Sequence, residues 1–296
     1  MKRGIKNIIT QTLREDAVFA DITTNSLIPQ HHQSRANILI KEEAIVCGLE
    51  IVKDVFKTLD RGVEFKVFFK DGSKVKKNTV VAVIKGKTRA LLSGERVALN
   101  FLGHLSAIAT LTHQFVQKVK PSKVKILDTR KTTPGLRILE KYAVRYGGGE
   151  NHRSNLSEMV LIKDNHRQVI GSLSKLQQCI HNLKRKTKKI IEVEVDSLRE
   201  LREVLKASPD IILLDNMSPS QVKKVVNLVK REKRRLPELS VPTHNWQRAK
   251  QPLLEASGGI TITNVSAFAR TGVDRISIGS LTHSARSINV SMEIIY

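Results

Sequence analysis

Only two cysteines, Cys47 and Cys179, occur in 296 residues, and neither lies in a CxxC or Cys/His ligand spacing. A disulfide framework and a zinc site are therefore not expected, and a reducing, cytoplasmic setting is. Aromatic residues make up 4% of the chain. None is interleaved in the basic runs KVKK (74 to 77), KRKTKK (184 to 189) and KREKRR (230 to 235), so the stacking platforms of single-strand nucleic-acid binders are missing. No stretch approaches the roughly 18 apolar residues of a membrane helix. The opening MKRGIKNIIT lacks the apolar centre of a signal peptide, and a soluble protein is expected. Acidic residues are also scarce: 28 Asp and Glu face 51 Lys and Arg, a net charge of +23. Such a field attracts nucleic acid, anionic lipid and small polyanions alike. A lysine-rich solvated surface gives the same count, and nucleic-acid binding stands as a remote alternative.

Apolar residues are 40% of the chain, enough for a sizeable core. The first hundred residues read as mixed α and β. A helix is expected near Ile5 to Arg14 and strands at 35–41, 63–69 and 79–85, with a turn at Asp71-Gly72. From Ser93 to about Val119, residues Val97, Phe101, Leu102, Leu105, Ile108 and Leu111 follow a 3.6-residue period, which predicts one long helix capped by Ser93. His104 and His113 are read on that helix as surface or packing residues. After Pro121 short apolar strands alternate with helical segments, the pattern of a parallel sheet. Strands are expected at 124–129, 159–164, 189–196, 210–216, 252–257 and 274–280. Helices over 197–208 and 218–232 each open on a serine suited to N-capping. The segment 236–252 breaks the rhythm and holds the sole tryptophan, Trp246, near His244; it reads as an insertion.

Each of these strands ends in a polar cluster: Asp128-Thr129-Arg130-Lys131, Lys163-Asp164-Asn165-His166, Glu194 to Asp196, Asp215-Asn216, Ser257-Gly258-Gly259 and Gly279-Ser280. In an α/β barrel the C-terminal strand ends share one face, and the active site forms there. Arg130, Lys131, Arg153 and Lys163 supply cations for an anionic substrate. Glu194 and Asp215 supply hard oxygens for Mg²⁺. The glycine turns let backbone N–H groups approach a phosphate. Gly147-Gly148-Gly149 reads as a flexible loop delivering His152 and Arg153, in the manner of a lid or clamp.

The strings TRKTTPGLRILEKYAV (129 to 144), GGGENHR (147 to 153), LIKDNH (161 to 166), EVEVD (192 to 196), LLDN (213 to 216), EASGGI (255 to 260) and LTHS (281 to 284) closely resemble quinolinate phosphoribosyltransferase. EDAVFADITT (15 to 24) and GERVALNFLGHLSAIAT (94 to 110) extend the likeness to nearly the whole chain. Two residues depart from the family pattern, Ala20 and Ala107 standing where glycine is usual. The resemblance implies an α/β protein with an incomplete (β/α) barrel over 111–281 and an N-terminal α/β open sandwich over 1–110, rejoined by the tail 282–296. It implies decarboxylating transfer of phosphoribose from 5-phosphoribosyl 1-diphosphate to quinolinate in NAD biosynthesis, with Mg²⁺ near Glu194 and Asp215. By the same resemblance Arg96, Arg130, Thr132, His152, Arg153 and Lys163 hold quinolinate. Lys131, Glu194, Asp215, Ser257, Gly258, Gly259, Gly279, Ser280 and His283 hold the donor, with Glu194, Asp215 and Lys131 in the catalytic roles. Arg96 is expected to reach a neighbouring subunit's site, which implies a homodimer. A same-fold paralogue, associated with molybdenum transport or using nicotinate, is the alternative.

Overall fold

The computed structural model describes residues 2–235 and 251–295, so nearly all of the 236–252 segment, with His244 and Trp246, lies outside the described residues. The chain divides into two compact units. One comprises Met1–Gln114, Lys131–Asn151 and Gly279–Tyr296; the other comprises Phe115–Arg130 and His152–Ile278.

In the first unit, strands form where β-branched and aliphatic residues alternate with polar ones. Gln33–Ile40, Glu64–Val67 and Thr79–Lys87 pair antiparallel, Thr79–Lys87 lying in the middle of that trio. Val290–Ile295 adds a fourth strand on the far side of Gln33–Ile40, with Ala36 opposite Ile294 and Ile38 opposite Met292. Leu49–Leu59 buries Leu49, Ile51, Val52, Val55 and Phe56, a 3.6-period stripe. The long helix runs Thr88–Lys118, starting five residues before the expected Ser93 cap. The strand Thr79–Lys87 leads straight into it, and Thr88 is tied at its hydroxyl to His32 and Ser34, both at 2.7 Å. Ser93 instead donates its hydroxyl to Asp21 at 2.8 Å, and Asp21 caps the helix Ile22–Leu27. The serine was a cap by residue type but a tie by position.

Gly147 to Gly149 are not a loose loop. They close the helix Arg137–Tyr146, with the amides of Gly147, Gly148 and Gly149 donating back to Ala143, Arg145 and Val144 at 3.0 Å each. A Cβ on Gly147 would stand 2.5 Å from the Ala109 carbonyl oxygen. Glycine is required there for close packing, which replaces the flexible-lid expectation for these three residues.

The second unit is built on a six-stranded parallel sheet. In spatial order its strands are Lys125–Leu127, Arg275–Ser277, Leu253–Ser257, Ile211–Asp215, Ile191–Val195 and Val160–Ile162. Every strand lies beside its neighbour in sequence, except that the first pairs with the last. That cyclic order is a barrel's, left open between Lys125–Leu127 and Val160–Ile162. The fold is thus an incomplete α/β barrel with a separate antiparallel sheet, as expected. Ile191–Val195 is buried throughout, as parallel strands covered on both faces are. Ser197 and Ser218 each accept from the amide three residues on, at 3.3 Å, starting the helices Leu198–Lys206 and Pro219–Arg235. Those helices turn Leu201 and Val204, and Val222, Val225, Val226 and Val229, into the core. Among the described residues no helix is long and apolar enough to cross a membrane.

Candidate active site

Along a strand, side chains alternate between faces, so residues two apart share one. Glu192 and Glu194 therefore face together, as do Glu255 and Ser257, and Leu213 and Asp215. The ladder aligns Glu194 with Leu213, and Ser257 with Asp215. Two tiers of polar residues follow, one at the strand ends and one beneath it.

The upper tier holds most of the residues expected in this unit. Lys163 is exposed at the end of the second strand and caps the helix Asp164–Ile170; its Nζ lies 3.5 Å from Glu194 Oε2. Glu194 itself is buried and accepts from the Asp164 amide at 3.3 Å. Asp215 is half-buried and takes a 2.6 Å hydrogen bond from the side-chain amide of Asn216. Arg153 is buried and donates to the Met159 carbonyl at 3.3 Å. Burial and the nearby Arg130 guanidinium lower the pKa of Arg153, with Glu192 opposing them. Two guanidinium groups are thus held close to one another, an arrangement that suits a multiply charged anion. At the fifth strand end Gly258 and Gly259 have φ of +90° and +61°. A Cβ on Gly258 would lie 2.1 Å from Asn216 Oδ1 and 2.8 Å from the Asn216 backbone nitrogen. Beside Gly259 there is open space.

The lower tier joins one expected residue, His152, to two glutamates that were not anticipated, Glu192 and Glu255. His152 Nε2 sits 2.8 Å from Glu192 Oε2 and 3.6 Å from Glu255 Oε1, and its backbone amide donates to the buried Asp128 at 2.9 Å. Glu192 and Glu255 are both 0% exposed. No hydrogen bond within 3.5 Å reaches either oxygen of Glu255; Arg275, with Nε at 3.7 Å, and the Ser277 side chain also act on it. Burial, and then the charge of Glu192, push the Glu255 carboxyl up to about 7 against the pull of His152 and Arg275. For His152 burial disfavours the charged ring, but the hydrogen bond and charge of Glu192, with Glu255 behind them, raise its pKa on balance. These three residues are the one His and carboxylate group with metal-ligand proximity among the described residues. Period-2 alternation in IEVEV and in LLEAS would have placed both glutamates under the strand ends.

A raised carboxyl stabilises the fold fully below its unfolded pKa, near 4.5, and that contribution is lost as pH rises through the folded value of about 7. Between about pH 5 and about pH 8 the wild-type chain should lose roughly 3 kcal/mol from Glu255. Glu255→Gln cannot ionise, so its denaturation midpoint should decline less over that range. Parallel pH profiles for the two proteins would mean that Glu255 is ionised throughout.

The other unit carries Arg96, Lys131, Thr132, Gly279, Ser280 and His283. Arg96 is exposed on the helix Thr88–Lys118. Thr132 accepts from Arg137 Nε at 2.9 Å. Lys131, Gly279 and His283 converge: the point where a Gly279 Cβ would stand is 2.9 Å from Lys131 Cδ and 3.2 Å from His283 Nε2. Ser280 begins the short helix Ser280–His283. His104, read as a packing residue, holds the buried Glu140 at 2.9 Å, and Glu140 in turn accepts from the Thr133 amide at 3.1 Å.

Comparison with known proteins bears on both units. A family profile described as quinolinate phosphoribosyl transferase, C-terminal domain, matches residues 108–293, and its N-terminal counterpart matches residues 21–106. A probable nicotinate-nucleotide pyrophosphorylase (carboxylating) of Methanocaldococcus jannaschii is 40% identical over 290 residues, covering 97% of this chain and 96% of that protein. A Bacillus subtilis protein of the same description is 40% identical over 294 residues, covering 98% and 93%. The crystal structure of NadC from Streptococcus pyogenes is similar with a TM-score of 0.88 at 39% identity, covering 100% of this chain and 98% of that one.

Proposed function

The chain belongs to the quinolinate phosphoribosyltransferase family, and from that premise we propose that it transfers phosphoribose from 5-phosphoribosyl 1-diphosphate to quinolinate. Loss of CO₂ then leaves nicotinate mononucleotide, with diphosphate as the other product, a step toward NAD. The observation that carries this reading is the cationic set of the barrel unit: Arg130 acting on the buried Arg153, and Lys163 at the end of the second strand with Glu194 against it. Three cations suit the two carboxylates of a pyridine dicarboxylate better than the single one of nicotinate. Departure of diphosphate leaves positive charge on the ribose, which the carboxylates of Glu194 and Asp215 are suited to stabilise. No covalent intermediate with the protein is needed.

The same two carboxylates would hold Mg²⁺. They are hard oxygen donors on adjacent strands, buried and half-buried respectively, and they fit an ion that takes one or two carboxylates plus substrate phosphates. When bound, the ion neutralises charge on the leaving diphosphate. Lys131, Gly279, Ser280 and His283, with Ser257, Gly258 and Gly259, are assigned to the donor. Thr132, His152 and Arg96 are assigned to quinolinate, Arg96 in the site of a second subunit. A homodimer is supported by the exposed Phe19, Ile22 and Leu27, 67%, 83% and 73% accessible. Their segment is tied to the helix of Arg96 through Asp21 and Ser93 and through Arg89 and Asn25. Two unpaired cysteines accord with a reducing cytoplasm.

The deciding experiment supplies the purified protein with Mg²⁺, the diphosphate donor and either quinolinate or nicotinate. Nicotinate mononucleotide and CO₂ should form from quinolinate. Turnover of nicotinate alone would overturn the assignment in favour of a same-fold paralogue.

A further inference from the structure

We propose that Thr282 is a positioning residue for the diphosphate donor, its hydroxyl pinning the chain at Lys131 to the turn at Gly279. The inference rests on the assignment of Lys131 to the donor made above. Thr282 is absent from the residues that the family resemblance places in the site, and it is 2% exposed, so it acts through others.

The need for a pin follows from the backbone. The first barrel strand ends at Leu127, and four residues later Lys131 has left the ladder. A carbonyl outside a ladder still requires a donor, or its burial is costly. Thr282 Oγ1 supplies it, donating to the Lys131 carbonyl oxygen at 2.6 Å. The same hydroxyl lies 3.1 Å from the Gly279 carbonyl oxygen, which already takes the amides of Thr282 and His283 at 3.2 and 3.3 Å. A hydroxyl has one proton to donate, and the shorter contact to Lys131 is the natural recipient. The chain after Lys131 is held separately, at Thr132 by Arg137 and at Thr133 by Glu140. The tie from Thr282 acts on the backbone of Lys131 itself.

The pin matters because the Lys131 stem crosses Gly279 with little room to spare: its Cδ lies 2.9 Å from the place a Gly279 Cβ would occupy, with His283 Nε2 at 3.2 Å from that same place. Three donor-site residues meet at one point, and Thr282 fixes the backbone of one to the turn carrying the other two. Valine would fill the same volume, so the hydroxyl is what distinguishes threonine here.

Thr282→Val should raise KM for the diphosphate donor about tenfold, the effect of one lost hydrogen bond at the Lys131 carbonyl. KM for quinolinate should stay within about twofold. Thr282→Ser keeps the hydroxyl and should restore the donor KM. Gly279→Ala provides a second route. Its backbone, at φ −68° and ψ −35°, accepts alanine without strain, yet the added methyl must displace the Lys131 stem, so the donor KM should rise again while the melting temperature holds. An unchanged donor KM in Thr282→Val, or an equal rise for both substrates, or failure of serine to rescue, overturns the proposal. Should Thr282→Val not fold, an unchanged donor KM in Gly279→Ala does so. Wild-type protein that does not turn over quinolinate at all would instead refute the functional assignment.

Discussion

Lys163→Ala and Arg130→Ala are each expected to lower kcat/KM for quinolinate on the order of a hundredfold or more while leaving thermal stability nearly unchanged. The two halves of that expectation have separate causes. The Lys163 side chain is half exposed and meets the buried Glu194 at 3.5 Å; a pair whose cationic end stands in water contributes about 1 kcal/mol to folding, and Glu194 keeps the Asp164 amide when the lysine is removed. Arg130 lies close enough to Arg153 to lower its pKa, so two like charges are held together against their repulsion. Removing either cation costs the fold little. A bound dicarboxylate, by contrast, would lose a charge-assisted hydrogen bond worth roughly 1.5 to 3 kcal/mol, together with part of the field that attracts it. Quinolinate saturation curves and melting profiles on the same preparations test both halves. Normal quinolinate affinity in either variant would show that the dicarboxylate is held elsewhere.

Gly258→Ala should be the most damaging single-methyl change in the barrel unit. At φ +90° an alanine is already strained, and its Cβ would lie 2.1 Å from Asn216 Oδ1. Rotating the Asn216 side chain away does not solve the problem, because the Asn216 backbone nitrogen is 2.8 Å from the same point. Asn216 is itself at φ +52°, and its amide donates to the Ser257 carbonyl at 2.9 Å. Two strand ends therefore turn against each other in left-handed conformations, and neither can move alone. Backbone strain and overpacking together should cost about 2 to 5 kcal/mol. The phosphate-binding turn should be displaced with them, removing activity. Gly259→Ala is the control: at φ +61° with nothing within 4 Å of its Cβ, it should cost only about 1 to 2 kcal/mol. Equal melting temperatures for the two variants would show that the Asn216 contact yields without cost.

Much of the fold was legible because its signals are local. Strand-helix alternation after Pro121 announced the parallel sheet, and Ser197 and Ser218 marked their helices by residue type and position. The strand-end residues could be read for the same reason, since a polar cluster after an apolar run is visible without knowing its neighbours. The lower tier escaped because Glu192 and Glu255 sit inside strands, where burial was assumed to mean apolar packing. Period-2 alternation carried the information, but only the partner strands reveal that His152 and Arg275 stand beside them. The segment Lys131–Asn151 offers the same lesson. Its helix looks like part of the barrel in sequence, yet Tyr142 donates to Asp71 at 2.6 Å, and the two are 71 residues apart. Ser93 and the three glycines from Gly147 were misjudged where residue type admits two uses and tertiary contact chooses between them.

The pairing of the first barrel strand with the last has a consequence for how the protein is made. Lys125–Leu127 finds its partner at Arg275–Ser277, and in the other unit Gln33–Ile40 gains its outer partner from Val290–Ile295. Both sheets are completed by residues 275–295. While the chain is still emerging from the ribosome, each sheet has a strand flank waiting for a segment not yet synthesised. Helices and the inner barrel strands can gather as they appear, but each sheet acquires its full set of strands only when translation has passed its own late segment, 275–277 for the barrel and 290–295 for the antiparallel sheet.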